Sequence, residues 1–206
     1  MMNPIIDVSS HNGVIDWGKV EPQISSAIIR IGYRGYGSRG RIMQDTQAED
    51  NIMGCFMNGI PFSFYFFPTS ISIKEAAEEG KWIDTFCKEH KVYPASIFLD
   101  SEDANPKGYS RNKDLSRNVR TLYLAETVRY LNHEGYVTGI YCSDSWSRDR
   151  INMNEIPCHG YWIARYGTKE PKSPYVAWQY TSKGHIDGIN GYVDFSARGG
   201  EERVKV

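Results

Sequence analysis

Asp100 and Glu102, two carboxylates separated by one residue, are the side chains of this sequence best suited to acid–base chemistry. They follow the apolar run 97–99, which predicts that Asp100 ends a buried strand. If the chain is still extended there, both side chains point to the same face, with Cβ atoms roughly 6–7 Å apart. Paired carboxylates perform glycoside hydrolysis, in which one protonates the leaving oxygen and the other stabilises the developing positive charge.

Like-charge repulsion between Asp100 and Glu102 predicts a raised pKa for one of them, which would help to keep Glu102 protonated as a general acid. The spacing alone does not decide the matter, because an Asp-x-Glu triplet arises by chance about once in a chain of this size. An acid at a strand end is also often a turn or helix-capping residue. On spacing, a catalytic pair and a structural pair both remain open.

Eight short apolar runs predict the strands that would position these acids. The runs are residues 5–8, 27–33, 62–67, 96–100, 138–142, 160–164, 177–181 and 192–195. Most do not alternate between apolar and polar residues, which is typical of strands buried on both faces of a parallel sheet. Helices are predicted between several of them, at residues 44–58, 73–87 and 115–133.

The order of these elements predicts an α/β fold whose last third differs from the rest. Strand and helix alternate through the first two-thirds of the chain, as in βαβ units. Only residues 182–191 separate the last two strands, whereas a parallel crossover needs about a dozen residues or more. We therefore predict an irregular (β/α) barrel, parallel at the start and partly antiparallel in the last third. Residues 1–196 would form one catalytic domain, and residues 197–206 a polar C-terminal tail that frays.

Two further acids are predicted to join the pair. In a parallel barrel, catalytic residues lie at the carboxyl ends of the strands. Asp7 lies near the end of the first predicted strand, and Asp194 lies in the last. Because a closed barrel brings its first and last strands together, we expect both to share one rim with the Asp-x-Glu pair.

Composition and charge exclude several other classes of function. The formal net charge of -1 argues against non-specific nucleic-acid binding, which needs a basic face. No apolar stretch approaches the roughly 18 residues of a membrane span, and residues 1–6 lack the length and basic start of a signal peptide. We therefore expect no membrane partner, and synthesis in the cytoplasm unless a leader was removed.

The 4 cysteines and 5 histidines give no metal-binding pattern. Neither a CxxC pair nor an HExxH motif is present, so we expect no metal and no cofactor. The cysteines are expected to be free thiols, mostly buried. The 14 Tyr and 5 Trp could supply flat faces for sugars, although a tyrosine-rich core would explain them equally well.

Eight segments, taken in order, resemble the Chalaropsis-type lysozymes of glycoside hydrolase family 25. They are residues 6–13 (Ile-Asp-Val-Ser-Ser-His-Asn-Gly) with 15–17 (Ile-Asp-Trp), 29–33 (Ile-Arg-Ile-Gly-Tyr), 59–61 (Gly-Ile-Pro) with 65–67 (Tyr-Phe-Phe), 99–102 (Leu-Asp-Ser-Glu), 139–141 (Gly-Ile-Tyr), 162–166 (Trp-Ile-Ala-Arg-Tyr), 178–182 (Trp-Gln-Tyr-Thr-Ser) and 193–194 (Val-Asp). Each segment alone is a weak signal, but their shared order makes the resemblance specific. It runs from residue 5 to about residue 196, nearly the whole chain.

The resemblance implies a muramidase that cleaves the β-1,4 bond from N-acetylmuramic acid to N-acetylglucosamine in peptidoglycan. By that likeness Glu102 is the acid/base. Asp100 would orient or charge-balance the substrate's 2-acetamido group, which attacks the anomeric carbon in a known exception to the two-carboxylate scheme. Asp7 and Asp194 would line the same pocket and hold the sugar or the key carboxylates. The family fold is an irregular (β/α) barrel.

The likeness also gives candidate roles to individual side chains around the expected groove. The aromatic candidates for substrate binding are Tyr33, Tyr65, Tyr141, Trp162, Tyr166 and Trp178. A role in the core is as plausible for each residue that lies near a strand end. Tyr33 and Tyr65 could instead hydrogen-bond the N-acetyl group or Asp100. His11 and Asn12 are expected to structure the first loop, Arg30 to be a buried salt-bridge partner, and Cys142 to pack.

Two positions depart from the family pattern. Phe66 stands where the family often has His, and Ser196 stands where Asn is common. Neither change removes a carboxylate, so we expect them to alter substrate contacts more than activity.

The alternative to an enzyme is a catalytically silent wall-binding module on the same barrel, which the intact Asp100 and Glu102 argue against. A chitin-cleaving barrel hydrolase is disfavoured because such enzymes usually show a longer acidic motif. The implied partner is the glycan strand of bacterial peptidoglycan, and we expect a monomer. A muramidase without a leader is typical of a phage endolysin, or of a catalytic domain cut from a larger lysin.

Overall fold

A closed barrel of eight strands forms the centre of the computed structural model, which describes residues 3–103, 105 and 108–199. A ninth strand, β3 (Ile42–Gln44), extends the sheet beside the barrel. The barrel strands are β1 (Ile5–Val8), β2 (Ser26–Arg34), β4 (Phe62–Phe67), β5 (Ile97–Asp100), β6 (Thr138–Ser143), β7 (Gly160–Ala164), β8 (Ala177–Gly184) and β9 (Val193–Arg198).

The direction of the strands confirms the predicted irregular (β/α) barrel. Neighbouring barrel strands from β1 through β8 are parallel. Strand β9 runs antiparallel to both β8 and β1 and closes the barrel between them. Only residues 185–192 join β8 to β9, and such a short connection cannot carry the chain back for a parallel crossover.

Helices cover the outside of the barrel. They are α1 (Trp17–Val20), α2 (Ala48–Met57), α3 (Ile73–His90), α4 (Arg117–His133) and α5 (Asp144–Asp149). The long helices α3 and α4 start at serine caps, since the side chains of Ser72 and Ser116 accept backbone N–H bonds. Among the described residues, no helix is both long and apolar enough to cross a bilayer.

Several predicted boundaries differ from those of the structure. Helix α2 begins at Ala48 rather than at residue 44, because residues 42–44 pair with β2 as the short strand β3. The predicted tail starts too early, because Ala197 and Arg198 continue β9 and pair with β8. Residues 200–206 lie outside the described residues. The expectation for the cysteines is confirmed, since all four are free and three are buried.

The barrel interior changes from apolar to polar along each strand. Side chains alternate in and out, so Ile5 and Asp7 both face inward on β1, as do Phe98 and Asp100 on β5. The apolar member of each pair belongs to a small inner core, separate from the larger core between barrel and helices. The polar member lies one layer nearer the carboxyl ends of the parallel strands. This layering builds the site.

Candidate active site

A cavity of about 660 Å³ opens at the carboxyl end of the parallel strands. All four predicted acids line it, and we call them the carboxylate floor: Asp7, Asp100, Glu102 and Asp194. Asp7 and Asp100 are buried, Asp194 is half-buried and Glu102 is exposed. The fold therefore brings together the ends of β1, β5 and β9, as expected from the sequence.

Backbone pairing sets the positions of these acids. Asp7 lies opposite Asp194 in the antiparallel register of β1 and β9. Asp100 lies opposite Tyr141, and the next amide, Ser101 N–H, donates to the Tyr141 carbonyl at 2.8 Å. This bond extends the strand pairing by one residue, so Glu102 follows immediately at the rim.

Burial and mutual repulsion raise the pKa of every acid on the floor. Burial is the largest cause for the pKa of Asp7 and of Asp100, both well above the usual value, and the next is repulsion by Asp194 and by Glu102 respectively. Burial raises the pKa of Asp194 to about 6. The crowded cleft also raises the pKa of Glu102 through desolvation, then through repulsion by Asp194 and Asp103.

These causes refine the predicted repulsion within the Asp-x-Glu pair. Repulsion by Glu102 does raise the pKa of Asp100, as expected. Desolvation is nevertheless the larger effect on both groups, and the acids that act most on Glu102 are Asp194 and Asp103. The pKa of each acid therefore depends on more than the Asp-x-Glu pair.

One residue that sequence reasoning missed holds the floor in place. Gln179 is buried, and its Nε2 donates to Asp7 Oδ2 at 3.0 Å. Its Oε1 accepts from the hydroxyls of Tyr141 at 2.8 Å and Tyr166 at 3.2 Å. The signal in the sequence was weak: Gln179 lies two residues after Ala177 and so shares its inward face.

Asp100 differs from Asp7 in its partners. Its Oδ1 is buried and has no hydrogen-bond partner among the described residues. No salt bridge within the described part of the chain connects an acid of the floor to a cation.

The predicted buried salt bridge of Arg30 is confirmed. Its Nε lies 2.6 Å from Asp45 Oδ2, and its Nη2 donates to Ser10 Oγ at 3.0 Å. Asp45 also accepts the backbone N–H groups of Ser10 and Gln47. Arg30 lines the cavity, but its guanidinium is directed to Asp45 rather than to the floor.

Arg34, which lines the cavity, belongs to one of two ion pairs that we call the arginine wall: Arg34 with Glu79, and Arg111 with Glu75. Arg34 Nε lies 2.7 Å from Glu79 Oε1, and Arg111 Nη2 lies 2.7 Å from Glu75 Oε1. Arg34 Nη1 also donates to the Gly40 carbonyl at 2.7 Å. Burial raises the pKa of Glu79 to about 7, against the opposing influence of Arg34.

Five of the six predicted aromatic residues line the cavity: Tyr33, Tyr65, Tyr141, Trp162 and Tyr166. Trp162 is 1% exposed and packs against Tyr141 with ring centroids 4.3 Å apart, so it forms part of the base rather than an open face. Two exposed tyrosines at the rim, Tyr36 and Tyr192, were missed. Both lie in loops of the structure, although Tyr192 was predicted to begin the last strand.

Trp178, the sixth predicted aromatic residue, is not among those that line the cavity. It precedes the inward-facing Gln179 and therefore points to the outside of the barrel. There its Nε1 donates to the Arg165 carbonyl at 2.7 Å, and its ring contacts Tyr180.

The two departures from the family pattern also lie away from the cavity lining, contrary to expectation. Phe66 is fully buried and packs on Trp82 in the layer beneath the helices. Ser196 is fully buried, and its Oγ accepts from Trp162 Nε1 at 2.9 Å. Neither is placed to contact a substrate in the cavity.

The first loop has the structural role that was predicted. Asn12 Oδ1 accepts the Ser9 amide at 3.0 Å and closes a short 3-10 turn over residues 10–12. His11 and Asn12 also line the cavity. Among the described residues, no group of three or more His, Cys, Asp or Glu side chains is arranged to hold a metal ion.

Comparisons with known proteins agree with this geometry. A family model described as glycosyl hydrolases family 25 matches residues 6–189. The chain is 40% identical over 204 residues to an uncharacterized protein, YegX, of Escherichia coli O157:H7, covering 96% of this chain and 70% of that protein. It is 24% identical over 200 residues to the autolytic lysozyme of Clostridium acetobutylicum, covering 92% of this chain and 53% of that protein.

A similar fold has been solved in the modular autolysin LytC of Streptococcus pneumoniae, in complex with a synthetic peptidoglycan ligand. The TM-score is 0.80 at 25% identity, and the match covers 94% of this chain and 46% of that chain. The chain therefore spans about half the length of the autolysin and of the clostridial lysozyme.

Proposed function

This chain belongs to glycosyl hydrolases family 25, and we propose that it is a lysozyme that cleaves the β-1,4 bond between N-acetylmuramic acid and N-acetylglucosamine in peptidoglycan. The observation that carries the proposal is the carboxylate floor: an exposed acid, Glu102, lies beside buried acids that have no cationic partner in the described residues. Such an arrangement holds protons at a pH where ordinary carboxyl groups have lost them.

Glu102 is the proposed acid/base. Its exposure in the cavity allows it to reach a glycosidic oxygen, and its raised pKa keeps a proton available in mildly acidic solution. After the proton has been donated, Glu102 is a base that can take a proton from the water that completes hydrolysis.

Asp100 is the proposed partner of the substrate's 2-acetamido group. An acetamido N–H would supply the donor that Asp100 Oδ1 otherwise lacks among the described residues. A hydrogen bond donated to a carboxylate favours its charged form, so substrate binding would oppose the effect of burial on the pKa of Asp100. The charged Asp100 would then stabilise the acetamido group as it attacks the anomeric carbon and becomes positively charged.

Asp7 and Asp194 complete the proposed floor. Their facing positions on β1 and β9 make them repel each other, which favours retention of a proton between them. A protonated carboxyl can donate to a sugar hydroxyl or to the neighbouring carboxylate, so the pair would bind substrate and help to set the charge around Glu102.

Rim tyrosines are the proposed sugar platforms. Tyr36, Tyr166 and Tyr192 are 49%, 59% and 59% exposed, and all line the cavity. Each presents an apolar face for the CH side of a sugar and a hydroxyl at its edge. The half-buried Tyr65 and the buried Tyr141 and Trp162 would instead shape the base on which a sugar rests.

The proposal is tested by digesting purified peptidoglycan and reducing the products with borohydride. We expect new ends that carry reduced muramic acid; reduced glucosamine ends would point to an N-acetylglucosaminidase and contradict the proposed bond. The Glu102→Gln variant should lose clearing of walls while it still pellets with them. If neither protein clears walls and both pellet with them, the chain is a wall-binding module instead.

A further inference from the structure

Gln179 is the one amide side chain that lines the inside of the barrel next to the floor in the described structure. It is 2% exposed, and every polar atom of its side chain has a partner. Its backbone carbonyl also accepts the Arg165 amide at 3.0 Å, so strand pairing fixes the residue on both sides. The side chain therefore has little freedom to move.

The two tyrosine hydroxyls determine which way the amide points. Both donate to Oε1, which directs Nε2, a donor only, toward Asp7 Oδ2. If the amide were turned over, the buried Tyr141 hydroxyl would meet a donor in place of its acceptor. Unmatched donors in a buried site cost about 1–3 kcal/mol each.

We propose that Gln179 is a positioning residue that keeps Asp7 Oδ2 as a hydrogen-bond acceptor and confines any proton on Asp7 to Oδ1. The kinetic part of this assignment rests on the proposed function. With Oδ2 occupied, Oδ1 is the atom through which Asp7 donates to a bound sugar or to a neighbouring acid. Tyr166, which is exposed at the rim, connects this arrangement to the surface where a glycan would lie.

Asp7 has several titratable neighbours that must be considered in any test. They come from the other strands of the barrel and from the loops that follow them, and they are Tyr65, Asp100, Glu102, Tyr141, Tyr166 and Asp194. Substitutions at position 179 leave all of these groups in place.

The test compares Gln179→Leu with the nearly isosteric Gln179→Glu. Loss of the donor in Gln179→Leu should lower kcat roughly 10²-fold at every pH, with little change in KM, because Asp7 is no longer oriented. Gln179→Glu should show the same loss in alkaline solution. The kcat of Gln179→Glu, divided by the kcat of the unsubstituted chain, should rise as pH falls. The reason is that a protonated carboxyl at position 179 can again donate to Asp7.

Trp178→Phe is the matched control, since it lies on the same strand and faces away from the cavity. It should keep the unsubstituted pH profile. A ratio for Gln179→Glu that does not depend on pH would overturn the assignment, since it would indicate a purely structural role. If Gln179→Leu does not fold, Gln179→Glu alone still gives this outcome.

A second measurement does not depend on activity. The Asp7 carboxyl is titrated by carbon-13 NMR, with its signal assigned by its loss in Asp7→Asn. The bond from Gln179 lowers the pKa of Asp7, so Gln179→Leu should raise it further. An unchanged titration would overturn the assignment. If the unsubstituted chain does not cleave walls, the proposed function fails, and the titration still decides the role of Gln179.

Discussion

The acids of the carboxylate floor line the cavity without a salt bridge among the described residues, whereas those of the arginine wall are ion-paired, Glu79 with the cavity-lining Arg34. On the wall, each acid meets a guanidinium: Glu79 lies 2.7 Å from Arg34, and Glu75 lies 2.7 Å from Arg111. On the floor, the acids meet one another and an amide. A buried charge is costly unless it is paired, so burial raises the pKa of the floor acids, and it raises that of Glu79 against the opposing influence of Arg34.

The two groups of acids have different roles: the wall holds the structure around the cavity, and the floor provides the titratable groups inside it. Ion pairs on the wall hold α3 and the neighbouring loops against β2, which fixes one side of the cavity. The floor could have been neutralised in the same way, because Arg30 lies close enough to lower the pKa of Asp100. That arginine instead binds Asp45. The floor acids are thus left without a salt bridge among the described residues, whereas on the wall Arg34 opposes the effect of burial on the pKa of Glu79.

The largest expected effect comes from breaking the wall. Arg34→Met should lower the free energy of unfolding by about 3–5 kcal/mol at pH 8, because Glu79 is left buried without its partner. The folded pKa of Glu79, about 7, lies above its usual value. At pH 5 Glu79 is protonated in the folded chain with or without Arg34, so the loss should be smaller there and grow as pH rises through 7.

Urea unfolding at the two pH values measures this difference. Arg39→Met, at an exposed arginine of the adjacent loop, is the control and should change little at either pH. If Arg34→Met lowered the free energy of unfolding equally at both pH values, the contribution of Arg34 would not be charge pairing.

The next effect is catalytic and comes from the floor. Asp100→Asn should lower kcat about 10²- to 10³-fold through the loss of charge stabilisation, while the melting temperature stays the same or rises. Asp45→Asn should instead lower the melting temperature, because it leaves Arg30 without its carboxylate partner. Release of reducing ends from walls and thermal melts measure both. A fall in melting temperature for Asp100→Asn would contradict the distinction between the two buried acids.

A smaller gain in stability is expected from Asp194→Asn. Because the folded pKa is about 6, against an ordinary 3.8, the folded chain holds a proton that the unfolded chain has lost between these values. The stability of the unsubstituted chain therefore falls as pH rises through this window. Asn removes the charge, so the variant should be more stable by about 1–2 kcal/mol at pH 7, allowing for partial exposure.

The gain should disappear near pH 4, where Asp194 is protonated in the folded chain. Urea unfolding at pH 4 and pH 7 checks this, with the exposed Asp187→Asn as the control. A gain of the same size at both pH values would rule out relief of charge as its cause.

The smallest effects concern the aromatic rim. In a Glu102→Gln background, Tyr192→Ala should weaken pelleting with walls about threefold to tenfold, through loss of a sugar-facing ring. Trp178→Phe should change it by less than about twofold, since its ring lies outside the cavity. If Trp178→Phe has the larger effect, the tyrosine rim is not the binding surface.

Sequence reasoning reached the barrel and the four acids because these depend on short-range signals. A run of buried residues predicts a strand, and its last residue predicts the rim, so Asp7 and Asp100 could be placed without knowing any contact. The direction in which neighbouring side chains point was harder to predict. In Trp178-Gln179, residue type does not reveal that the polar Gln179 faces inward while the aromatic Trp178 faces outward.

Ion pairs between residues far apart in the sequence could not be predicted from local patterns either. Arg34 and Glu79 are separated by 45 residues, and nothing in either local segment indicates that they meet. The positions of Phe66 and Ser196 were misjudged because a family pattern gives the residue type without its orientation. The short strand β3 has too few residues to show a period.

The reversed direction of β9 has a practical consequence for the placement of attachments. Asp194, near its start, lies at the cavity, whereas Arg198, at its end, pairs with the first residue of β8 on the opposite face of the barrel. Strand β1 also begins on that far face. A tag, surface linker or second protein joined beyond either strand would therefore start behind the barrel, and the mouth of the cleft would stay open to a polymer as large as a cell wall.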